Sequence, residues 1–272
     1  KTAATFSTSL ADLENLKTLP QGPFDLILAC HSVNELWKQD AQALDKRAAL
    51  FGQAVERLSE GGLLIIIEPS AIVTSRPALA LRDRLLSEFE GVLRCVAPCP
   101  GSYPCPVLAA GQERSCHSTW AWSPYEPISA LAAAAGLDRD SVKATWFALQ
   151  KTGNSNSREG ARGQGRSDLP PAAASPIALS GSGLQPAWLE GRIISEAMLN
   201  KAGRLRYILC TNSGLASFSA KAKESAAETA GFFSLQRGDM ITASALERRE
   251  GQNSFGFVPG SKLSIAIKAP KA

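Results

Sequence analysis

The chain has no long apolar run. None of its 272 residues lies in a stretch near the roughly 18–20 needed to cross a bilayer as a helix, and the strongly apolar run Leu63 to Ile67 is far shorter than that. It also lacks a strong charge of either sign. A net charge of +4 and a pI near 8.8 permit a nucleic-acid partner without requiring one. No internal repeat is present, and no Gly-x-Gly turn occurs upstream of Phe24. The spacing Cys99-x5-Cys105-x10-Cys116 matches no zinc finger, which normally contains Cys-x2–4-Cys pairs. The sequence opens at Lys1 without an initiator Met or an n-region, so targeting signals cannot be judged from it.

What is present is a globular composition, 44% hydrophobic, with ample material for one large domain or two small ones. After the turn signal Pro20-Gln-Gly-Pro23, the run Phe24 to Cys30 predicts a buried, parallel strand. A helical pattern then runs through Ala43, Leu44, Ala48, Leu50, Phe51, Val55 and Leu58 to a glycine stop at Gly61-Gly62. Leu63 to Glu68 predicts a second buried strand, and Arg76 to Phe89 a second helix. Strand–helix–strand–helix with short glycine-marked joints is the pattern of an α/β, doubly wound sheet.

Cys95 to Ser123 reads as one long, functional loop. Pro127 to Leu137 then predicts helix and Val142 to Leu149 strand. Lys151 to Pro186 is rich in Gly, Ser, Ala, Pro and Arg and reads as a flexible low-complexity insertion. Arg192–Ile194 and Arg204–Cys210 predict paired strands, Ala220 to Phe232 a helix, and Asp239 to Lys268 a small β tail. The expected organisation is an α/β core over 1–150 that includes the cysteine loop 95–123. The insertion follows at 151–186, then the last sheet strands over 187–218, then a C-terminal extension over 219–272.

In such sheets a cofactor lies across the carboxyl ends of the strands. That makes Cys30, His31, Ser32, Asn34 and Glu35 candidate cofactor contacts. The plainer reading is that His31, Asn34 and Glu35 cap and anchor the following helix, and for His31 it is preferred. Ala3 to Leu16 resembles the end of an earlier strand and its turn, so the sequence is expected to open after the residues that would hold most of a cofactor.

The cysteines carry a sharper signal. Cys99, Cys105 and Cys116 fall within eighteen residues, and Cys99 and Cys105 are each followed by Pro. Proline stiffens a loop and removes N–H donors, so such a loop can present sulfurs to a metal. Iron–sulfur clusters tolerate wide, irregular spacing and often have Cys-Pro ligands. A fourth thiolate is needed, and Cys210, ending a predicted strand, suits better than Cys95 or Cys30. Three buried structural cysteines remain the alternative. Disulfides fit less well, because a large apolar core and an α/β pattern suit a reducing compartment.

These residues resemble a family. Asp25-Leu-Ile-Leu-Ala-Cys-His-Ser-Val-Asn-Glu-Leu36, Gly61-Gly-Leu-Leu-Ile-Ile-Ile-Glu-Pro69, Ala97-Pro-Cys-Pro100, Cys105-Pro106, Cys116-His117 and Leu209-Cys-Thr-Asn-Ser-Gly214 occur in the order found in the methyltransferase-like small-ribosomal-subunit assembly proteins of bacteria and mitochondria. The resemblance spans most of residues 24–214. It implies a class I methyltransferase-like (Rossmann-like) sheet, a [4Fe–4S] cluster on Cys99, Cys105, Cys116 and Cys210, and a role in maturing the small subunit. It further implies rRNA as a partner and the bacterial cytoplasm or mitochondrial matrix as the location.

Four thiolates on a 2+ core leave about two negative charges, which favours nearby cations such as Arg114, Arg192, Arg204 and Arg206. Lys201, Arg204, Arg206, Lys221 and Lys223 are the expected rRNA contacts. The chain departs from the family at Gly101, where a His is usual, and in thinner basic residues before Cys210. The 151–186 insertion also looks peculiar to this chain. One alternative is an active S-adenosylmethionine-dependent RNA methyltransferase. Against amino-group methylation, His31-Ser-Val-Asn34 stands where an Asn/Asp-Pro-Pro-aromatic motif would be expected. A weaker third reading is a zinc-stabilised module.

Overall fold

In the computed structural model, which describes residues 5–15, 19–137, 140–153, 187–249 and 253–270, Phe24–Cys30 (β1) pairs in parallel with Leu58–Pro69 (β2). The two strands are joined through helix α1, Ala43–Glu56. Helix α1 stops at Glu56, before the glycines, and Gly61-Gly62 lies inside β2 instead. There the register slips between the Phe24↔Leu58 and Leu26↔Leu63 pairs. The slip requires glycine: Gly61 sits at φ +79°, and a Cβ on Gly62 would lie 2.9 Å from the Phe24 carbonyl oxygen.

Helix α2, Ile72–Glu88, begins four residues earlier than Arg76 and carries Pro77 in its first turns. It leads to β3 (Leu93–Ala97), short helix α3 (Pro106–Ala109) and β4 (Ser118–Ala121). The expected single cysteine loop is therefore broken by three short elements. Helix α4 spans Glu126–Ala134 and β5 spans Ser141–Lys151. Strand order is β1-β2-β5-β3, with β4 also on β5, and every partner of β5 is antiparallel to it. This is a mixed α/β sheet, a parallel pair extended by antiparallel strands.

Helices α1 and α2 pack on each other and on the β2 face carrying Leu64 and Ile66, both fully buried together with Val55, Leu81 and Leu85. β1 is not the buried strand its composition suggests. Leu26 and Leu28 are 55% and 57% exposed, since nothing among the described residues covers that face. Residues 5–15 contain no strand among the described residues, contrary to the reading of Ala3 to Leu16. The expected insertion lies outside the described residues from 154 to 186.

The rest of the chain forms a second sheet, so the strands over 187–218 do not complete the first. β6 (Ala187–Ile193), β7 (Met198–Leu199), β8 (Arg204–Thr211), β9 (Gly214–Lys221), β10 (Met240–Arg249), β11 (Ser254–Gly256) and β12 (Lys262–Ile267) run in the order β11-β9-β8-β6-β10-β12, with β7 on β8. A further β10–β11 pairing closes five of these strands into a ring. The β6–β8 pair is the predicted one, with Arg192 opposite Cys210 and Ile193 opposite Leu209.

The helix expected over Ala220 to Phe232 is reduced to α5 (Ser225–Thr229) and a single 3-10 turn at Phe232–Ser234, because β9 continues to Lys221. The segment from Asp239 onward is no separate extension, since β10 sits between β6 and β12. Alternation puts Tyr207, Leu209, Ala216, Phe218 and Ala220 inside the ring. There the Phe218, Phe232 and Phe257 rings meet at centroid distances of 4.7–5.4 Å.

Candidate metal centre

Cys99, Cys105, Cys116 and Cys210 line one small cavity, together with Arg82, Tyr103 and Arg192. Three of the sulfurs come from the β3–α3–β4 connection of the first sheet, and the fourth comes from β8 of the second. The cavity therefore lies between the two sheets. Leu79, Cys105, Val107, Ile194 and Cys210 form a small buried apolar cluster around it. All six cysteines of the chain are free thiols.

Cys105 and Cys116 are each positioned by a nearby polar group. The Cys105 N–H donates to Asp83 Oδ2 at 2.7 Å, which sets the start of α3. The Cys116 carbonyl accepts from Thr145 Oγ1 at 2.6 Å, tying the loop to β5. Arg82, 1% exposed, reaches from α2 beneath the loop and donates to the Gly101 carbonyl at 2.7 Å and the Tyr103 carbonyl at 3.1 Å, while pairing with Asp83. Arg192 donates to Ser118 Oγ at 2.7 Å, and its Nη1 lies 3.7 Å from Cys116 Sγ. On β6, Gly191 allows this approach: a Cβ there would lie 2.5 Å from the Cys210 carbonyl oxygen.

Burial and neighbouring charge explain the titration of these groups. Burial raises the Cys116, Cys105 and Cys210 thiols, Cys105 to about 11. Cys99 is raised by its hydrogen bond with Cys95 and then by burial, and Cys95 is correspondingly lowered. Burial works against the Arg82 charge, yet Cys99, Cys95 and Asp83 together raise its pKa above the ordinary value. The site therefore has four soft donors and two buried cations in an apolar wall.

The donor set fits a thiolate-ligated group. Tyr103 Oη, on the cavity wall, is buried beside Cys210 with no nitrogen or oxygen partner, and it is a donor that a ligated sulfur could accept from. Among the described residues, no group of three or more His, Cys, Asp or Glu is arranged to hold a metal ion. Gly101 also has a local reason: a Cβ there would lie 2.8 Å from Tyr103 Cε1, so a larger residue and this Tyr103 placement exclude each other.

The remaining sequence candidates fall elsewhere. Cys95 is not on the cavity wall; its sulfur lies 3.6 Å from the Ala97 carbonyl oxygen. Cys30 is exposed at the end of β1. His31 is at φ 53°, a left-handed turn residue. The N–H groups of Ser32 and Val33 donate to Glu68 Oε1 at 3.0 and 2.7 Å, and the Asn34 amide donates to Glu68 Oε2. Glu68, fully buried at the end of β2, thus anchors the turn that follows β1, and Glu35 pairs with Lys38 at the surface.

The basic candidates gather on the β8–β9 hairpin. Arg204 stands opposite Lys221 and Arg206 opposite Ser219, with Lys201 in the turn before β8 and Lys223 in the turn after β9. Of the cations expected near the sulfurs, only Arg192 is there. Arg114 lends just its carbonyl to Arg76, and Arg204 pairs with Glu224. Arg82 was missed by the sequence reading. Its signal was a lone cation in the apolar row Leu79, Leu81, Leu85, Leu86 of a helix.

No curated protein matches the chain. Residues 4–132, which include β1 to β4 and the first three cavity cysteines, match the family described as mitochondrial small ribosomal subunit Rsm22. Over these residues the chain is similar to that family.

Proposed function

We propose that this protein is an assembly or maturation factor of the small ribosomal subunit, in which a [4Fe–4S] cluster on Cys99, Cys105, Cys116 and Cys210 pins the α/β sheet to the second sheet. The observation that carries this reading is the meeting of four cysteines, distant in sequence and drawn from two sheets, around one cavity with two buried arginines. A structural zinc ion draws its ligands to about 2.3 Å from one point. A cluster spreads them over separate irons, which suits sulfurs set around a cavity wall. Bound there, the cluster supplies cross-linking rather than catalysis.

The chain's own residues do the rest. Arg82 and Asp83 hold the loop, Thr145 holds Cys116, and Arg192 offsets negative charge from the second sheet. The parallel β1–β2 pair with helices on one face supports a class I methyltransferase-like ancestry for the first sheet. The Glu68 carboxylate is occupied by the chain's own donors, which favours a scaffold over an S-adenosylmethionine-dependent enzyme. The family description supports the small subunit as partner and the mitochondrial matrix or cytoplasm as location. No helix among the described residues is long and apolar enough to cross a membrane.

The test is sedimentation with purified small subunits, with and without iron loading. The expected result is that the iron-loaded chain co-sediments and a Cys105→Ser/Cys210→Ser variant does so weakly. Equal co-sedimentation by the variant would remove the cluster from the account.

A further inference from the structure

The five closed strands have a defined order. Numbered within the ring, β6, β8, β9, β10 and β11 are strands 1 to 5, and the ring runs 1-2-3-5-4 and back to 1. Strands 3 and 5 (β9 and β11) are parallel, the other ring pairings are antiparallel, and α5 lies between strands 3 and 4. This is the topology of the oligonucleotide-binding barrel, which takes ligands across strands 2 and 3 and the adjoining 1–2 loop.

The geometry points to single-stranded RNA bound across the outer face of β8 and β9. Three observations support this beyond the topology. Charge is the first. Lys201 lies in the 1–2 loop, Arg204 and Arg206 on strand 2, Lys221 on strand 3, and Arg249 at the end of strand 4. Glu224 and Glu247 are the acidic residues paired with them.

The second is how Arg249 is held. Its Nη1 donates to Ser219 Oγ at 3.1 Å, so the guanidinium lies over strand 3. That position depends on Gly256 of β11, where a Cβ would lie 2.1 Å from Arg249 Nη2. Arg204 and Arg249 flank one carboxylate, Glu224, at 3.8 and 3.6 Å, and Arg204 Nη1 has no hydrogen-bond partner. Arg249 also reaches Glu247 at 3.9 Å, so these four charges balance, and the cations of the strip left for a phosphate are Lys201, Arg206 and Lys221, none of which is in an ion pair among the described residues.

The third is width. Neighbouring strands lie about 4.8 Å apart, so β8, β9 and β11 make a strip about 10 Å wide, which suits one phosphate backbone. Duplex recognition by shape spans successive grooves and needs a broader surface. The other end of the β8–β9 face, with Ile208, Cys210 and Leu215, is covered by the cysteine loop. The cysteine cavity and the RNA strip therefore share one hairpin. Since the strip carries no aromatic residue, binding is through the backbone, with strong salt dependence and little sequence preference.

The inference rests on the small-subunit reading for its biological partner, but its test does not. Binding of the full chain to a labelled single-stranded RNA, and to a duplex of the same length, is measured by fluorescence anisotropy over a salt series. The wild type is expected to prefer the single strand. Arg206→Glu/Lys221→Glu, at two exposed positions, is expected to weaken binding at least about tenfold. The milder Arg206→Gln/Lys221→Gln is expected to lower the salt slope by about 1.4, two contacts of about 0.7 each. Trp188→Ala, on β6 away from the strip, should bind as the wild type does. Unchanged affinity after charge reversal, or equal binding of the duplex, overturns the assignment. If small subunits still co-sediment in that case, the ribosomal reading survives it; lost co-sedimentation with charge-sensitive RNA binding retained would do the reverse.

Discussion

Arg192 and Cys116 meet across the two sheets, with the guanidinium Nη1 3.7 Å from the sulfur and the other nitrogen hydrogen-bonded to Ser118. Arg192 is buried on β6 and stands opposite Cys210 in register, so one cation touches both halves of the cysteine set. Its worth therefore depends on the state of the thiols. Beside neutral thiols a buried cation has little compensation for its desolvation, while beside thiolates it is well paired. Arg192→Met should leave the metal-free protein within about 1 kcal/mol of the wild type. The iron-loaded variant should release iron to a chelator faster than the iron-loaded wild type. Denaturant midpoints and chelator-release rates check the two halves separately.

Arg82 holds the loop from beneath. Removing it orphans the Gly101 and Tyr103 carbonyls and leaves Asp83 without its buried partner. Arg82→Met is expected to destabilise the protein by about 3 kcal/mol, read from the shift of the denaturation midpoint. Arg82→Lys should recover only part, because one ammonium cannot reproduce the planar fork.

Glu68 gives a pH signature. Burial raises its pKa above 4.5, against the lowering effect of the Val33 and Ser32 N–H groups. A carboxyl raised in the folded state binds a proton that the unfolded chain has already lost. Its contribution therefore falls as pH rises from the ordinary glutamate range through the raised folded value, and is flat above it. Glu68→Gln should remove that slope at little cost, because the buried unpartnered Asn34 Oδ1 can turn to meet the new amide. Glu68→Ala should cost about 3 kcal/mol by orphaning the Ser32, Val33 and Asn34 donors. Unfolding measured from pH 4 to 8 distinguishes the three proteins.

Gly191 sets the spacing of β6 against β8. An alanine there would meet the Cys210 carbonyl at 2.5 Å and Thr211 Cγ2 at 3.0 Å, so the strands must part where Cys210 joins the cavity. Gly191→Ala is expected to lower stability by about 2 kcal/mol and iron content with it, checked by unfolding and metal analysis of one preparation.

Much of the first sheet was legible in the sequence because its periodicity is local. Phe24 to Cys30 reads as strand from its own composition, and Ala43 to Val55 as helix from its own spacing. The glycines at 61 and 62 misled because the same residue that ends a helix also permits a strand bulge, and the deciding contact, with Phe24, is remote in sequence. The Ala220 to Phe232 segment misled for a related reason. Its alanines favour helix, but the pairing of Arg204 with Lys221 extends β9 through Ala220. That Cys210 belongs to a closed barrel could not be read at all, since closure depends on β10 and β11 pairing with strands thirty or more residues earlier. The cavity cysteines were legible because thiols beside prolines are rare and chemically specific. Arg82 was not, because a cation in a helix normally reads as surface.

The most direct measurement is iron and acid-labile sulfide per chain in protein purified without oxygen, together with its absorption spectrum. The account predicts about four irons and four sulfides with a broad band at about 400 nm. It further predicts that Cys210→Ser abolishes both, while Cys95→Ser keeps them. Colourless protein containing zinc alone, or a Cys210→Ser variant with undiminished iron, would contradict it.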